Sequence, residues 1–425
     1  MLSNPSSRRA PLRAAIPFCL ALLLSPAAPA RAEEASLWTR PTLTGDWSGT
    51  RSRLEERGVT FGFVTTSEFM RNVKGGAGVG TASLDNEDVQ LSVDAEKLMH
   101  WKGAQFFVYG LRDFGHSPSQ YIGDVQAASN IDAPNTTKLF EAWYDQSFGE
   151  QVSVRLGLYN VNSEFDAKEA AKPFLNSSHG IGKDWSQAGP NGPSIFPTTS
   201  LAARVKFTGP DGTSLIAMVA DGIPGDPADP TGTHVRFDPG DGALVAGEMG
   251  WAREAEEGGP GYARVGLGGW RFTTKFEHLR DVDGNGDPVI VDGNTGVYLF
   301  TEGRIWRGGK RSLSGYARGG FADTRVNAFG SFYGGGLVAD GWVPGRSEDR
   351  LALGVASAFH GSPAEAVLLA SGGDPAPETA LEATWQVKVA PWLMVQPDLQ
   401  YILNPGADKS MKAATVFGLR TVVSY

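Results

Sequence analysis

Leu139-Phe140-Glu141-Ala142-Trp143-Tyr144-Asp145-Gln146-Ser147-Phe148-Gly149-Glu150-Gln151-Val152-Ser153-Val154-Arg155-Leu156-Gly157-Leu158-Tyr159 reads as two strand-length segments joined by one tight turn. In the first, Phe140, Ala142, Tyr144 and Phe148 alternate with Glu141, Trp143 and Asp145, broken only by Gln146. In the second, Val152, Val154, Leu156 and Leu158 alternate with Ser153, Arg155, Gly157 and Tyr159. A period of two places each set on its own face of a pleated strand. One face is apolar but for Gln146, and the other mixes acids, a base and aromatic rings.

The same rhythm runs through the chain and predicts about sixteen strands, the first at 59–69, the last at 413–424, with 200–208, 262–272 and 296–306 among those between. After the N-terminal leader no apolar run reaches the roughly 20 residues of a helical membrane span. A closed ladder of strands is the other way for a backbone to cross a bilayer, because it satisfies every N–H and C=O internally. The predicted fold is therefore all-β: a transmembrane antiparallel β-barrel, with an even strand number and one lipid-facing side per strand. Abundant glycine and aromatic residues suit close strand packing and interfacial girdles.

Connection lengths support this. With the N-terminus inside, the predicted external connections include Arg71–Asn86, Arg112–Lys138, Asn160–Thr199, Asp221–Ala246 and Thr273–Thr295. Short turns such as Gly209-Pro210-Asp211-Gly212 and Ala390-Pro391-Trp392 interleave with them; Ala339–Asp349 is the one clear departure. Alternation of long external loops and short periplasmic turns is an outer-membrane pattern. The end of the chain, Val416-Phe417-Gly418-Leu419-Arg420-Thr421-Val422-Val423-Ser424-Tyr425, is an alternating strand closing on an aromatic residue, the kind of terminus that barrel assembly machinery reads.

Residues 1–32 form a predicted cleaved signal peptide: Arg8, Arg9 and Arg13 precede an apolar core, and Ala30-Arg31-Ala32 ends it. Its removal takes four arginines and moves the formal net charge from −9 to −13. An acidic chain of this kind argues against nucleic acid as a partner. Cys19, the single cysteine, lies in the leader, so no disulfide framework is expected. Residues 33–58 are read as an N-terminal segment, with a short polar helix over Asp46–Arg57 near the periplasmic end, and 59–425 as one barrel domain in the bacterial outer membrane.

Several blocks together carry a family resemblance. Leu43-Thr44-Gly45-Asp46-Trp47-Ser48-Gly49, Glu141-Ala142-Trp143-Tyr144-Asp145-Gln146, Gly157-Leu158-Tyr159-Asn160 with Ser163-Glu164-Phe165, Asn176-Ser177-Ser178-His179-Gly180, Asp221-Gly222-Ile223-Pro224-Gly225 and Gln396-Pro397-Asp398-Leu399-Gln400-Tyr401 follow in an order and spacing that resembles the OprB family of carbohydrate-selective outer-membrane porins. The terminal Tyr425 departs from the more usual Phe. The resemblance implies passive, selective diffusion of mono- and small oligosaccharides such as glucose.

The lumen face supplies suitable chemistry. Glu141, Trp143 and Asp145 stand beside Arg155 and Tyr159; charged groups exchange hydrogen bonds with sugar hydroxyls, while an aromatic ring packs on the C–H face of a pyranose. A Glu141–Arg155 salt bridge across the wall is also expected. The long connection 160–199 adds Glu164 and Trp185 and is long enough to narrow a lumen, and Arg112 is a further lumen candidate by position alone. Asp281, Asp283, Asn285, Gly286, Asp287 and Asp292 match the early oxygen-ligand spacing of a calcium loop, and the same residues make an ordinary hairpin turn. No other cofactor is indicated. The six histidines show no metal or catalytic spacing, so an enzyme is not expected. Two alternatives stay open, a general small-solute porin and a plugged structural or adhesive barrel. The expected partners are permeant carbohydrates, membrane lipid and the assembly machinery, and both a monomer and a homo-oligomer stay open.

Overall fold

The computed structural model describes residues 36–253 and 261–425, and the signal-peptide residues 1–32 lie outside them. Sixteen antiparallel strands close on themselves, each paired with its sequence neighbours, and the first is paired with the last. They are β1 Val59–Lys74, β2 Gly80–Asp94, β3 Ala104–Gly115, β4 Thr136–Phe148, β5 Val152–Tyr159, β6 Ser200–Thr208, β7 Thr213–Asp221 and β8 Ala243–Arg253. The second half comprises β9 Ala263–Val282, β10 Pro288–Gly308, β11 Arg311–Ala322, β12 Phe329–Asp340, β13 Arg350–His360, β14 Glu378–Ala390, β15 Leu393–Leu403 and β16 Ala414–Ser424. Closure leaves no strand edge to template aggregation.

The distribution of side chains is inverted relative to a water-soluble protein. Leu156, Val219, Met249, Leu267, Leu353 and Phe417 are exposed on the outer face, whereas Glu68, Glu248, Glu302, Arg318, Glu382, Gln400 and Arg420 are buried inside. Outward apolar and inward polar alternation is what a lipid-bathed barrel requires. Rings mark the inner rim of the apolar band: Phe63 stacks on Tyr425 at 4.6 Å, and Trp101, Phe106 and Tyr144 pack together.

Two connections expected to be long are instead extensions of strands. β1 and β2 leave only residues 75–79 as a tip, and β9 and β10 leave only 283–287. The outer portion of β9–β10 is exposed on both faces, as over residues 279–287, so no buried alternation betrays it as strand, whereas the β1–β2 extension buries Met70, Ala82 and Leu84 inward. The connections 116–135 and 160–199 enter the lumen. Phe165, Trp185 and Ala188 pack against Ile216, Leu244, Trp270, Phe272, Tyr298 and Phe300 of the wall. Phe174 wedges against Tyr316, Val338 and Ala352, a fit that glycine permits: a Cβ on Gly336 or Gly354 would lie 2.6 Å from its ring.

β4 carries a correction to the reading of its faces. The β3 register shifts between Tyr109 and Gly110, whose partners are Glu141 and Leu139, so Phe140 is an unpaired bulge residue. It turns inward, only 2 % exposed, against Tyr109 and Phe196. An inserted residue inverts the parity on one side of the bulge. The helix α1 is shorter than expected, Thr50–Glu56, and has no buried residue. The segment before it is tied to the rim by Leu43 N–H on the Ser424 carbonyl and Trp392 Nε1 on the Leu37 carbonyl, and the helix itself by Arg51 on the Tyr425 carbonyl.

Gly157 tests the packing of the wall. Its φ is +139°, and a Cβ there would stand 2.1 Å from the Ala142 carbonyl oxygen. Gly157→Ala is expected to destabilise the barrel by about 1–3 kcal/mol, seen as a lower temperature for the heat-induced mobility shift of the folded band; an unchanged transition would show that β4 yields at no cost.

Candidate functional site

Lumen-facing positions of β4, β5 and β6 stand side by side because Asp145, Arg155 and Arg204 are successive register partners. Arg155 Nε donates to Asp145 Oδ2 at 2.9 Å, and Arg204 Nη2 donates to the same oxygen at 2.8 Å. Glu164 descends from the 160–199 loop onto this wall. It accepts from Arg204 Nε at 2.8 Å and the Tyr159 hydroxyl at 2.7 Å, with Arg155 and Lys206 at 3.4 and 3.3 Å. Burial opposes the charge of Glu164, but Arg155, Arg204, the Tyr159 hydroxyl and Lys206 hold its carboxyl below the ordinary range. The result is an alternating ladder of fixed charges with its hydrogen-bond geometry locked from both sides.

An aromatic surface adjoins the ladder. The Arg155 guanidinium lies 3.8 Å from the centre of the Trp143 ring, and Trp143 stacks on Phe107 at 4.9 Å. Trp143 thus faces the lumen. Its Nε1 donates to Glu141 Oε2 at 3.2 Å, and the same oxygen accepts from the Asn160 N–H at 3.1 Å. The expected Glu141–Arg155 ion pair is therefore replaced: Arg155 serves Asp145 and Glu164, and Glu141 fixes the root of the loop.

Above the ladder, the two inward loops and β1–β4 enclose a cavity of about 500 Å³. Asn86, Asp88 and Tyr109 line one side, and Gln126, Asn130, Asn162 and Lys183 of the loops line the other. The Tyr109 hydroxyl donates to Asp88 at 2.6 Å. Arg420 pairs with Glu68 and donates to Asn130, joining the wall to the 116–135 loop.

On the far side, the 160–199 loop is clamped. Arg318 Nε donates to Asp166 at 3.1 Å and its Nη2 to Asp184 at 3.0 Å, while Lys168 donates to Asp166 at 2.6 Å; these four side chains are at most 1 % exposed. Burial would raise the Asp166 carboxyl, and Arg318 and Lys168 overcome this to hold it below its ordinary value. His179 is driven by burial, aided by Lys168, down to about 3, so its contact with Glu382 at 3.5 Å is not an ion pair.

Of the residues singled out from sequence, Glu141, Trp143, Asp145, Arg155, Tyr159 and Glu164 converge on this wall. Trp185 does not face the passage. Fully buried, it stacks on Tyr298 at 5.2 Å and Trp270 at 6.2 Å and acts as a wedge under the loop. Arg112 is a correction. It shares parity with Phe106 and Val108, lies on the outer face, and pairs with Glu87 at 3.4 Å. Asp281 and Asp292 belong to β9 and β10, and Asp283 Oδ1 accepts the Asn285 and Asp287 N–H groups within a hairpin turn, so the calcium-type spacing is not arranged as a helix–loop–helix. Sequence reading missed Arg204, although its parity with Ser200 in an expected strand was available, and it missed Asp88 and Tyr109.

A sixteen-stranded barrel with a polar lumen, inward-folded loops and an apolar outer band is an outer-membrane porin. Residues 80–425 match the family described as carbohydrate-selective porin, OprB family, and the chain belongs to it. Porin B of Pseudomonas aeruginosa is 26 % identical over 431 residues, covering 92 % of this chain and 93 % of that protein. The high-pH structure of Pseudomonas putida OprB is similar over 92 % of this chain and all of that one, with a TM-score of 0.82 and 21 % identity. Its low-pH structure covers 91 % of this chain and 99 % of that one, with a TM-score of 0.57 and 19 % identity.

The clamp sets two expectations. Arg318→Met strands two buried carboxylates and costs about 3–5 kcal/mol; larger, noisier single-channel currents from a still-folded barrel are the expected readout. Because the carboxyls of Glu164 and Asp166 are depressed, their contribution is present above about pH 4 and is lost as pH falls through their lower folded values. The Glu164 and Asp166 carboxylates should therefore stay ionised as pH falls from 8 to 5 and protonate only below about pH 4, followed by their carboxyl carbon chemical shifts; protonation of either near neutrality would contradict the ion-pair account.

Proposed function

We propose that the barrel admits neutral mono- and small oligosaccharides such as glucose down their gradient, and that selection occurs where they pass the charged ladder of β4–β6. The observation that carries this reading is the contiguity of the Trp143 ring with Asp145, Arg155, Arg204 and Glu164 on the inward face of β4–β6. A hexose lays its C–H face on the ring and exchanges hydroxyl–water hydrogen bonds for hydrogen bonds to fixed donors and acceptors. The ladder's charges are already largely paired, so each contact is weak. Weak binding is what a channel needs for release.

Conduction down a gradient requires no cofactor, and a calcium ion at the 281–292 hairpin would act on stability outside the passage. The stacking of Tyr425 on Phe63, where β16 meets β1, suits a terminus delivered by the assembly machinery as the closing strand.

The test is swelling of liposomes carrying the purified barrel in glucose, a disaccharide and an amino acid of similar size to glucose. Faster glucose entry is expected, and equal entry of all three would reduce the protein to a general porin. No swelling by a folded barrel would favour the plugged alternative. Arg155→Ala should lower the glucose-to-amino-acid rate ratio about fivefold, equivalent to roughly 1 kcal/mol of lost hydrogen bonding, with assembly intact. Glu141→Ala is expected to act in the same direction.

A further inference from the structure

Two cavities share a wall in the outer half of the molecule. One is the cavity of about 500 Å³ against β1–β4; the other, of about 280 Å³, lies between the 160–199 loop and the 222–242 loop, and Ser186, Ile195 and Phe196 line both. Lys138 of β4 lines the smaller one. It precedes Asp145 of the charged ladder by seven residues on the same strand, which places this cavity roughly 20 Å outward of the ladder. The walls are fastened from the barrel. Lys138 is buried, and its Nζ donates to Thr198 Oγ1 and to the Pro230 carbonyl, both at 3.1 Å, so one side chain holds both loops. Gly232 N–H donates to Thr136 Oγ1 at 3.0 Å, Leu139 N–H to Thr233 Oγ1 at 2.7 Å, and Asn191 Nδ2 to the Pro224 carbonyl at 2.6 Å.

The lining divides into two chemistries. Phe196 and the rings of Pro134, Pro193, Pro197 and Pro230 are apolar, whereas Lys138, Asn191, Asp226, Asp229 and His234 offer donors and acceptors. An ammonium has three N–H donors, and Lys138 spends two of them on the loops. Asp226 and Asp229 accept from the Ala228 and Thr231 N–H groups and hold further lone pairs. The charges are matched within the wall, Asp226 by Arg236 and Asp229 by His234 at 3.3 Å, so an ionic solute meets no counter-ion in want of a partner there. A neutral ring with apolar C–H faces and a rim of hydroxyls fits this division. The volume, at the low end for ligand pockets, suits one such ring.

We propose that the smaller cavity is an outer subsite, which takes a neutral monosaccharide from the external side and passes it across the partition of Ser186, Ile195 and Phe196 to the larger cavity. The inference rests on the reading of the protein as a sugar channel. Its Phe196 ring packs edge-on against Phe140 at 6.1 Å and borders both cavities, so it offers an apolar surface on either side of the step. A path of several weak sites admits a solute at each and traps it at none. The outer subsite then raises the local concentration of sugar ahead of the ladder, where selection is made.

The experiment uses the purified barrel in liposomes, with glucose as the probe. Pro134, an exposed apolar part of the lining, is replaced in Pro134→Cys, and the reaction of its thiol with a small thiol reagent is timed against the unsubstituted chain. Glucose at twice its dissociation constant should slow this labelling about threefold, and an amino acid of similar size should not. Adding Asn191→Ala should raise the glucose concentration needed for protection, and that for half-maximal glucose flux, about fivefold, as for the loss of one hydrogen bond, with the maximal flux unchanged. Lys138→Met should abolish the protection in a barrel that keeps its heat-modifiable mobility, and Arg155→Ala, in the ladder, should leave it intact. Absent protection overturns the inference, while faster swelling in glucose than in the amino acid keeps the proposed function. Equal protection by both solutes, protection unchanged by both Asn191→Ala and Lys138→Met, and protection lost with Arg155→Ala overturn it as well. Equal swelling rates overturn the proposed function instead, and protection that persists in that barrel keeps the site.

Discussion

Backbone amides of a loop folded into a lumen leave water and must find acceptors, and this constraint organises the interior. The strands supply carboxylates for it. Glu248 accepts the Asp166 N–H, Glu302 the Ala170 N–H, Glu382 those of Leu175 and Asn176, and Glu378 those of Val125 and Gln126. Gln396 and Gln400 donate in turn to the carbonyls of Pro173 and Ala128. Each contact joins an inward strand position to loop backbone, so the loops' path is fixed by wall chemistry more than by their own sequence. β8, β10, β14 and β15 supply these anchors, and the cavity of about 500 Å³ lies against β1–β4.

The same geometry separates two uses of charge. Arg318, Asp166, Lys168 and Asp184 are dry and mutually paired, which stabilises one loop conformation and offers nothing to a solute. Arg155 and Glu164 keep side-chain exposures of 14 %, enough to contact water and a passing hydroxyl. Adjacent clusters of the same residue types therefore differ in role by access alone.

The barrel, its strand number and the composition of the β4–β5 wall were legible because a period of two survives in single strands and the lipid imposes it. What failed did so for identifiable reasons. Phe140 was placed outward because a bulge is invisible to alternation. Arg112 was assigned from its position near a strand end without a reading of parity, and the parity of Val108 would have turned it outward. The β9–β10 hairpin beyond the membrane has water on both faces, so it carries no apolar alternation to read. Trp185, expected at the lumen, packs on the wall instead, because whether a loop aromatic faces a passage or a wall depends on partners such as Tyr298, more than a hundred residues away.

The order of these anchors along the chain has a consequence for biogenesis. Every strand that grips the 160–199 loop from β8 onward, up to Glu382 and Gln396, is synthesised after the loop itself. The narrowing cannot be set until the last quarter of the barrel is in place. A cell that inserted this chain strand by strand would hold an unguarded hole during manufacture, so the selectivity of the finished pore depends on closure being completed before the product is released into the membrane.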